Sequence, residues 1–402
     1  MDKFVFTPTS SLLLARNLNI SRTSMTDCET NCTNHKNGAL AGHAENIAQS
    51  AKNCPPSRHK HIAVRNTMSK SSTTVPIQFI RNLLSGIPLE AQQREAYIHR
   101  VGIAPDLLEE SSARVTTDQF ASLYRLLARE IDDETPGMFS RPLRGGTLKF
   151  LCLSMLESAN LIAALYRYTQ FFRLILDDLA FELDNKDNLV QIALIPKTVE
   201  TANNFFAQEM MLKLVHGIAS WLSGRKMPLA RIDFTYSRPA HVSEYVFLYP
   251  GPAYFDQPLT ALYFESSQLQ TPIRQDKHSL SEFLARAPAD WMFVSFAERI
   301  VSHRVREYLE KRLDQTSGIE DVAKALHFSL RTLSRRLGEE GTSFQAIKDE
   351  LRRDVAIQRL TKTRMPVALI GNQIGFDDPT TFHRAFKKWT GSPPGAYRRK
   401  AK

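Results

Sequence analysis

The chain has 402 residues, with 52 Lys and Arg against 42 Asp and Glu, and four cysteines. This length allows two or three domains that each bury a core without staples, the sparse cysteines exclude a disulfide framework, and no apolar run reaches the roughly 18 residues of a membrane span. Residues 299–402 alone hold 22 Lys and Arg against 12 Asp and Glu, the whole formal excess of +10, while residues 1–298 balance at 30 against 30. A basic unit fused to a neutral body predicts a module that neutralises phosphates joined to one with another task.

Residues 1–74 are rich in Ser, Thr, Asn and Ala, lack sustained apolar periodicity and end in Ser69-Lys70-Ser71-Ser72-Thr73-Thr74. That composition predicts a disordered extension. Met68 opens a more regular stretch and is a second candidate start. Residues 4–15 are too short and too polar for a signal peptide, so a reducing, cytoplasmic location without a membrane is expected. Cys28, Cys32 and His35 form one loose triad with no second spaced pair, and no metal site is expected there.

Residues 75–274 mix helical and strand patterns, which predicts an α+β domain, and residues 68–298 carry 22 Lys and Arg against 26 Asp and Glu. Phe120, Leu123, Leu126 and Leu127 recur at helical spacing within 119–131, and 153–176 reads as one longer helical stretch. Strands are expected at 179–183 and 189–195, joined by the turn-forming Asp184-Asn185-Lys186-Asp187-Asn188. A helix fits 205–222, and strands fit 230–236 and 261–264, with Pro239, Pro250, Pro252 and Pro258 breaking the chain between them. Tyr168, Phe171, Phe172 and Trp221 could line a pocket, yet aromatic residues at helical spacing more often build core. No spacing identifies effector-binding residues. The polar stretch 274–281 opens a linker expected over 275–298.

From residue 299 onward strand signals vanish. A helix-turn-helix needs a small residue where its helices cross, a tight turn about four residues later, and a second helix whose buried pair leaves the other face free for DNA. Residues 299–402 supply that pattern twice. In the first copy Ala323 is the small residue, His327-Phe328 the turn, Ser329 the cap, and Leu333 with Leu337 the buried pair. Arg331, Thr332, Ser334, Arg335 and Arg336 face outward. In the second copy the same places are taken by Gly371, Gly375-Phe376, Asp378, and Phe382 with Phe386. Thr380, Thr381, His383, Arg384 and Lys387 then face outward. Arg335 and Arg384 each stand two positions after the first buried anchor, where a guanidinium can donate bidentately to guanine. Between the copies Phe344, Ile347, Leu351 and Val355 predict a continuous amphipathic helix over 343–361, capped by Ser343.

At these residues the sequence resembles the AraC/XylS family of bacterial transcription regulators. Ile374-Gly375-Phe376-Asp377-Asp378, then Thr381-Phe382-His383-Arg384-Ala385-Phe386-Lys387-Lys388, then Gly391-Ser392-Pro393-Pro394-Gly395-Ala396-Tyr397-Arg398 carry the resemblance over roughly residues 300–400. It implies an all-α DNA-binding domain of seven helices in which two helix-turn-helix motifs are joined by a linker helix. It places Arg331, Ser334, Arg335, Thr380, His383 and Arg384 at base-facing positions. His327 stands where the family's first turn commonly has glycine, so a slightly strained turn is expected. Arg114-Val115 before the Phe120 helix, Arg238-Pro239-Ala240-His241, and Tyr254-Phe255-Asp256-Gln257-Pro258 resemble the arabinose-binding-type effector domain of one branch of the family.

The domain layout expected is therefore a disordered extension over 1–74, an α+β effector-binding and dimerisation domain over 75–274, a linker over 275–298, and a double helix-turn-helix domain over 299–402. Lys387, Lys388, Arg398 and Arg399 are expected to contact DNA phosphates. The expected partners are double-stranded promoter DNA, a small-molecule effector, RNA polymerase and a second copy of the chain. The alternatives are a constitutive architectural DNA-binding protein and an enzyme in the middle domain. Against the enzyme, Gly145-Gly146 is not a phosphate loop, neither Gly-x-Ser-x-Gly nor His-Glu-x-x-His occurs, and His216 and His241 read as core or surface residues. No catalytic residue, cofactor or metal is expected.

Overall fold

The computed structural model describes residues 74–398 apart from 187, 240–244, 294–300 and 314–316, with the side chains of 246 and 247 also left out. All of these residues belong to the unit Met68–Lys402. The expectations for residues 1–73, including the Cys28-Cys32-His35 triad, and for Arg399 lie outside the described residues.

β1 (Thr74–Pro76) pairs antiparallel with β2 (Arg114–Thr116), with Val75 opposite Val115. The helices α1 (Gln78–Ser85) and α2 (Ala91–Arg100) lie between these strands in sequence, and α3 (Thr117–Glu130) follows directly. Thr116 starts α3 with a capping box: its hydroxyl accepts the Gln119 N–H, and the Gln119 side chain accepts the Thr116 N–H. Phe120, Leu123 and Leu127 are fully buried along the inner face of α3, as their spacing predicts.

The single helical stretch expected over 153–176 is two helices, α4 (Thr147–Leu156) and α5 (Leu161–Ile175). Asn160 causes the break, because its side chain leaves the helical path and caps α5 by accepting the Ala163 N–H at 3.0 Å. Apolar periodicity continues across the cap, which is why the pattern alone reads as one helix.

A five-stranded sheet follows in the order β3-β4-β7-β5-β6. β3 (Leu179–Lys186) and β4 (Leu189–Pro196) form the expected hairpin, but their ladder runs further into the polar segment than composition suggests. Lys186 pairs with Leu189, and Asn188 takes φ 65°, a conformation that asparagine tolerates. β5 (Arg231–Asp233) and β6 (Ala253–Tyr254) are the sheet's one parallel pair, and β7 (Thr260–Glu265) lies between β4 and β5. The strand expected over 230–236 is thus only three residues long. α6 (Val199–Asn203) leads into α7 (Phe205–Leu222), a core helix buried on nearly every side. Ile192, Leu262 and Phe264 from the sheet join Leu212 and Ile218 of α7 in the core, each contributing about 1.5–3 kcal/mol by burial.

After α8 (Tyr245–Leu248) and α9 (Ser266–Leu269), residues 275–298 hold α10 (Lys277–Arg286) and α11 (Ala289–Met292). These helices are docked rather than extended. Phe283 is buried and stacks on Trp221 at 4.6 Å, while Trp291 and Met292 are buried too.

The basic segment is all helix among the described residues: α12 (Val301–Glu310), α13 (Ile319–Ala325), α14 (Leu330–Glu339), α15 (Phe344–Lys362), α16 (Val367–Gln373) and α17 (Pro379–Thr390). Ser343 caps α15 by accepting the Ala346 N–H. Ile347, Leu351 and Val355 form the buried stripe of α15.

Candidate nucleic-acid interface

Two helix pairs, α13–α14 and α16–α17, are built by the same local devices. Ser329 caps α14 by accepting the Thr332 N–H at 3.1 Å, and Asp378 caps α17 by accepting the Thr381 N–H at 2.7 Å. Between the helices of each pair, a phenylalanine N–H reaches back five residues: Phe328 to the Ala323 carbonyl at 2.8 Å, and Phe376 to the Gly371 carbonyl at 3.0 Å. The turn residue before each phenylalanine is left-handed, with His327 at φ 59° and Gly375 at φ 83°. The strain expected at His327 is present, since a Cβ in that region crowds the following carbonyl. The small residue at 371 suits the crossing: a Cβ there would stand 3.1 Å from the Phe382 ring, tighter than ordinary contact.

Each second helix buries one apolar pair and exposes the opposite face. Leu333 and Leu337 of α14 and Phe382 and Phe386 of α17 are buried. Arg331, Ser334 and Arg335 on α14, and Thr380, His383 and Arg384 on α17, are all exposed. Arg335 stands 3.4 Å from Glu339, but with the two side chains 67% and 60% exposed this pair holds it weakly. Arg336 is directed elsewhere, its guanidinium lying 4.8 Å from the Phe328 ring centroid. Arg352 does the same in the second pair, lying 5.0 Å from Phe376 and donating to the Gly375 carbonyl at 3.0 Å.

The four residues expected at phosphates separate. Lys387 and Lys388 are exposed at the end of α17. Arg398 is engaged internally, donating to the Thr363 carbonyl at 2.7 Å and to the Met365 carbonyl. It ties the chain end to the connection between α15 and α16.

The helix α15 also carries a buried charge cluster, which spacing did not reveal. Asp354 accepts from the Thr74 hydroxyl of β1, from Arg306 of α12 at 2.8 Å and from Arg353 at 3.2 Å, with Arg114 of β2 at 4.0 Å. Arg114 donates in turn to the Thr74 hydroxyl and carbonyl at 2.7 and 2.9 Å, and its backbone N–H donates to the Tyr397 hydroxyl at 3.2 Å. Burial pushes the Asp354 carboxyl up, but Arg353, Arg306, Arg114 and the Thr74 hydroxyl outweigh it and hold the group below the usual carboxylate range. A further pair, Lys362 with Asp118, joins α15 to α3. The signal available in the sequence was Asp354 itself, a carboxylate at the i+7 place of the stripe that begins at Ile347.

The pocket candidates divide as well. Tyr168 and Phe172 are buried in an aromatic cluster with Phe181, Phe171 packs edge-on against Phe172, and Trp221 stacks on Phe283. Phe172 also borders a cleft that Met210, Met211 and Leu214 of α7 line with it.

Residues 93–273 match the family described as the arabinose-binding domain of AraC transcription regulator, N-terminal, and residues 322–400 match a helix-turn-helix domain family. The chain belongs to the AraC/XylS family. Among AraC/XylS relatives, it is 26% identical to the ornithine utilization regulator of Pseudomonas aeruginosa over 338 residues, covering 83% of this chain and 99% of that one. The arabinose operon regulatory protein of Escherichia coli is 36% identical over 103 residues, covering 24% of this chain and 35% of that one. Among solved structures, the transcriptional regulator CdpR of Pseudomonas aeruginosa aligns at 19% identity with a TM-score of 0.27, covering 80% of this chain and 97% of that one. With these two matched domains the chain is a DNA-binding transcription regulator with an arabinose-binding type of N-terminal domain. Among the described residues no helix is long and apolar enough to cross a membrane.

Proposed function

We propose that this regulator reads promoter DNA with two helix-turn-helix motifs, α14 and α17 each entering a major groove, and that a small-molecule effector in the N-terminal domain controls the reading. The observation that carries this is the repeated geometry: the same cap, the same five-residue return bond, the same buried pair and the same exposed polar face occur in both helix pairs. The nineteen residues of α15 span about 28 Å at about 1.5 Å per residue, near the roughly 34 Å between successive major grooves on one DNA face. Arg331, Ser334, Arg335, Thr380, His383 and Arg384 are the proposed base contacts, and Lys387 and Lys388 the phosphate contacts. The Asp354 cluster supports a coupled response, because it fixes the helix between the two readers to β1 and β2 of the N-terminal domain. RNA polymerase and a second copy of the chain are further proposed partners, in a cytoplasmic setting.

Selection from a random DNA pool with the full chain tests this. The expected product is a bipartite site, two short blocks about 10 to 10.5 base pairs apart centre to centre. Enrichment of a single block would remove one reader, and no enrichment would reduce the basic domain to an electrostatic clamp.

A further inference from the structure

A cleft of about 420 Å3 opens among α3, α4, α7 and the corner between α10 and α11. Small-molecule sites occupy roughly 300–1,000 Å3, and this cleft falls within that range. Its buried wall is apolar, formed by Leu151, Phe172, Met210, Met211 and Leu214. Five charged side chains also border it: Arg125, Arg129, Lys149, Asp132 and Glu134.

The hydrogen-bonding capacity of that border is lopsided. The acidic groups are spent inside the protein. Glu134 accepts the Gly146 and Leu148 N–H groups with its two oxygens, at 2.7 and 2.6 Å. Asp132 accepts the Gly145 N–H at 3.0 Å and pairs with Arg144 at 3.4 Å, while the Tyr124 hydroxyl donates to the Glu134 carbonyl. Donors, by contrast, are in surplus. Arg129 makes no hydrogen bond or ion pair among the described residues, and Lys149 meets only the Phe150 ring, at 5.9 Å. Arg125 commits part of its five-donor fork to the Ala287 carbonyl at 3.2 Å and the Ser122 hydroxyl at 3.4 Å. Trp291 is 4% exposed, and its indole N–H has no acceptor.

The geometry points to an amphipathic carboxylate as the occupant of this cleft, a deepening that rests on the effector-controlled reading above. Its apolar body lies against Phe172, Met210, Met211 and Leu214. Its carboxylate meets the Arg125, Arg129 and Lys149 cations. A neutral ligand would leave the cations without a counter-charge, and a cationic one would face three like charges with the neighbouring carboxylates already engaged. Trp291 lies ten residues before Val301 in sequence, so the bound ligand touches α11, the last described helix before α12.

Titration calorimetry on the full chain tests this with decanoate, decanol and decylamine, which share one apolar chain and differ in charge. Decanoate is expected to bind saturably and roughly tenfold or more tighter than the other two. Arg129→Gln and Lys149→Gln alter exposed side chains, so they leave the fold intact; each is expected to weaken decanoate several-fold and leave decanol unchanged. No saturable decanoate binding, decylamine binding as tightly, or variants that bind decanoate like the parent would overturn the proposal. The DNA selection described above, run with and without decanoate, judges the two readers, while the ranking of these three probes judges the cleft separately.

Discussion

Replacing Asp354 by Asn keeps the shape of the side chain and removes its charge. The residue is 3% exposed, and the guanidinium groups of Arg306 and Arg114 facing it are 7% and 8% exposed, so both cations would remain buried without their carboxylate. Removing one partner of a buried ion pair costs about 3–5 kcal/mol, mostly through the charge left behind. With a urea slope of about 3 kcal/mol per M for a chain of this size, the unfolding midpoint should fall by about 1–1.7 M. The assay is urea denaturation of the full chain followed by circular dichroism, with Asp377→Asn as the exposed control, expected to stay within about 0.5 kcal/mol. Asp354 also sets a pH dependence. Its folded pKa lies below the ordinary value of 3.8, so its contribution is complete above that value and is lost as pH falls through the lower folded one. A loss under about 1 kcal/mol for Asp354→Asn, with an unchanged acid limb, would show that the cluster is hydrated and would refute its role in fixing α15 to the N-terminal domain.

Arg335→Ala and Arg384→Ala should each cost about 1–3 kcal/mol on the selected site and relax preference at different base positions; equal losses on random DNA would contradict base reading. Lys387→Gln with Lys388→Gln should lower the salt slope of binding by about 2 without changing the preferred sequence, as read from affinity at several salt concentrations. Burial lowers Lys213 to about 7, so the unfolded chain binds the extra proton between pH 7 and about 10, and stability should rise with pH across that window. Lys213→Met should flatten that rise in a thermal-melt series, and an unaltered slope would assign it to another group. His327→Val should cost about 1–2 kcal/mol because a β-branched residue resists φ 59°, whereas His327→Gly should be close to neutral in the same denaturation assay.

The two helix pairs were legible because each of their parts is local. Ser329, Ser343 and Asp378 cap their own helices, Gly371 and Gly375 answer a crossing and a turn within a few residues, and the pairs Leu333 with Leu337 and Phe382 with Phe386 declare a buried face by spacing alone. The same locality explains the one helix misread as continuous, since the Asn160 cap interrupts the backbone without interrupting the apolar period. Tertiary structure decided what depends on groups far apart in the chain. Asp354 meets Thr74 across 280 positions, and nothing in its own helix names Arg114 or Arg306 as its neighbours. Arg398 looks like a phosphate contact in a basic tail until the fold brings the Thr363 carbonyl within 2.7 Å. The cleft likewise needs α3, α4, α7 and α11 to converge before Arg125, Arg129, Lys149 and Trp291 share one wall. Periodicity and capping report on neighbours along the helix, whereas charge pairing and cavity shape depend on contacts that only packing creates.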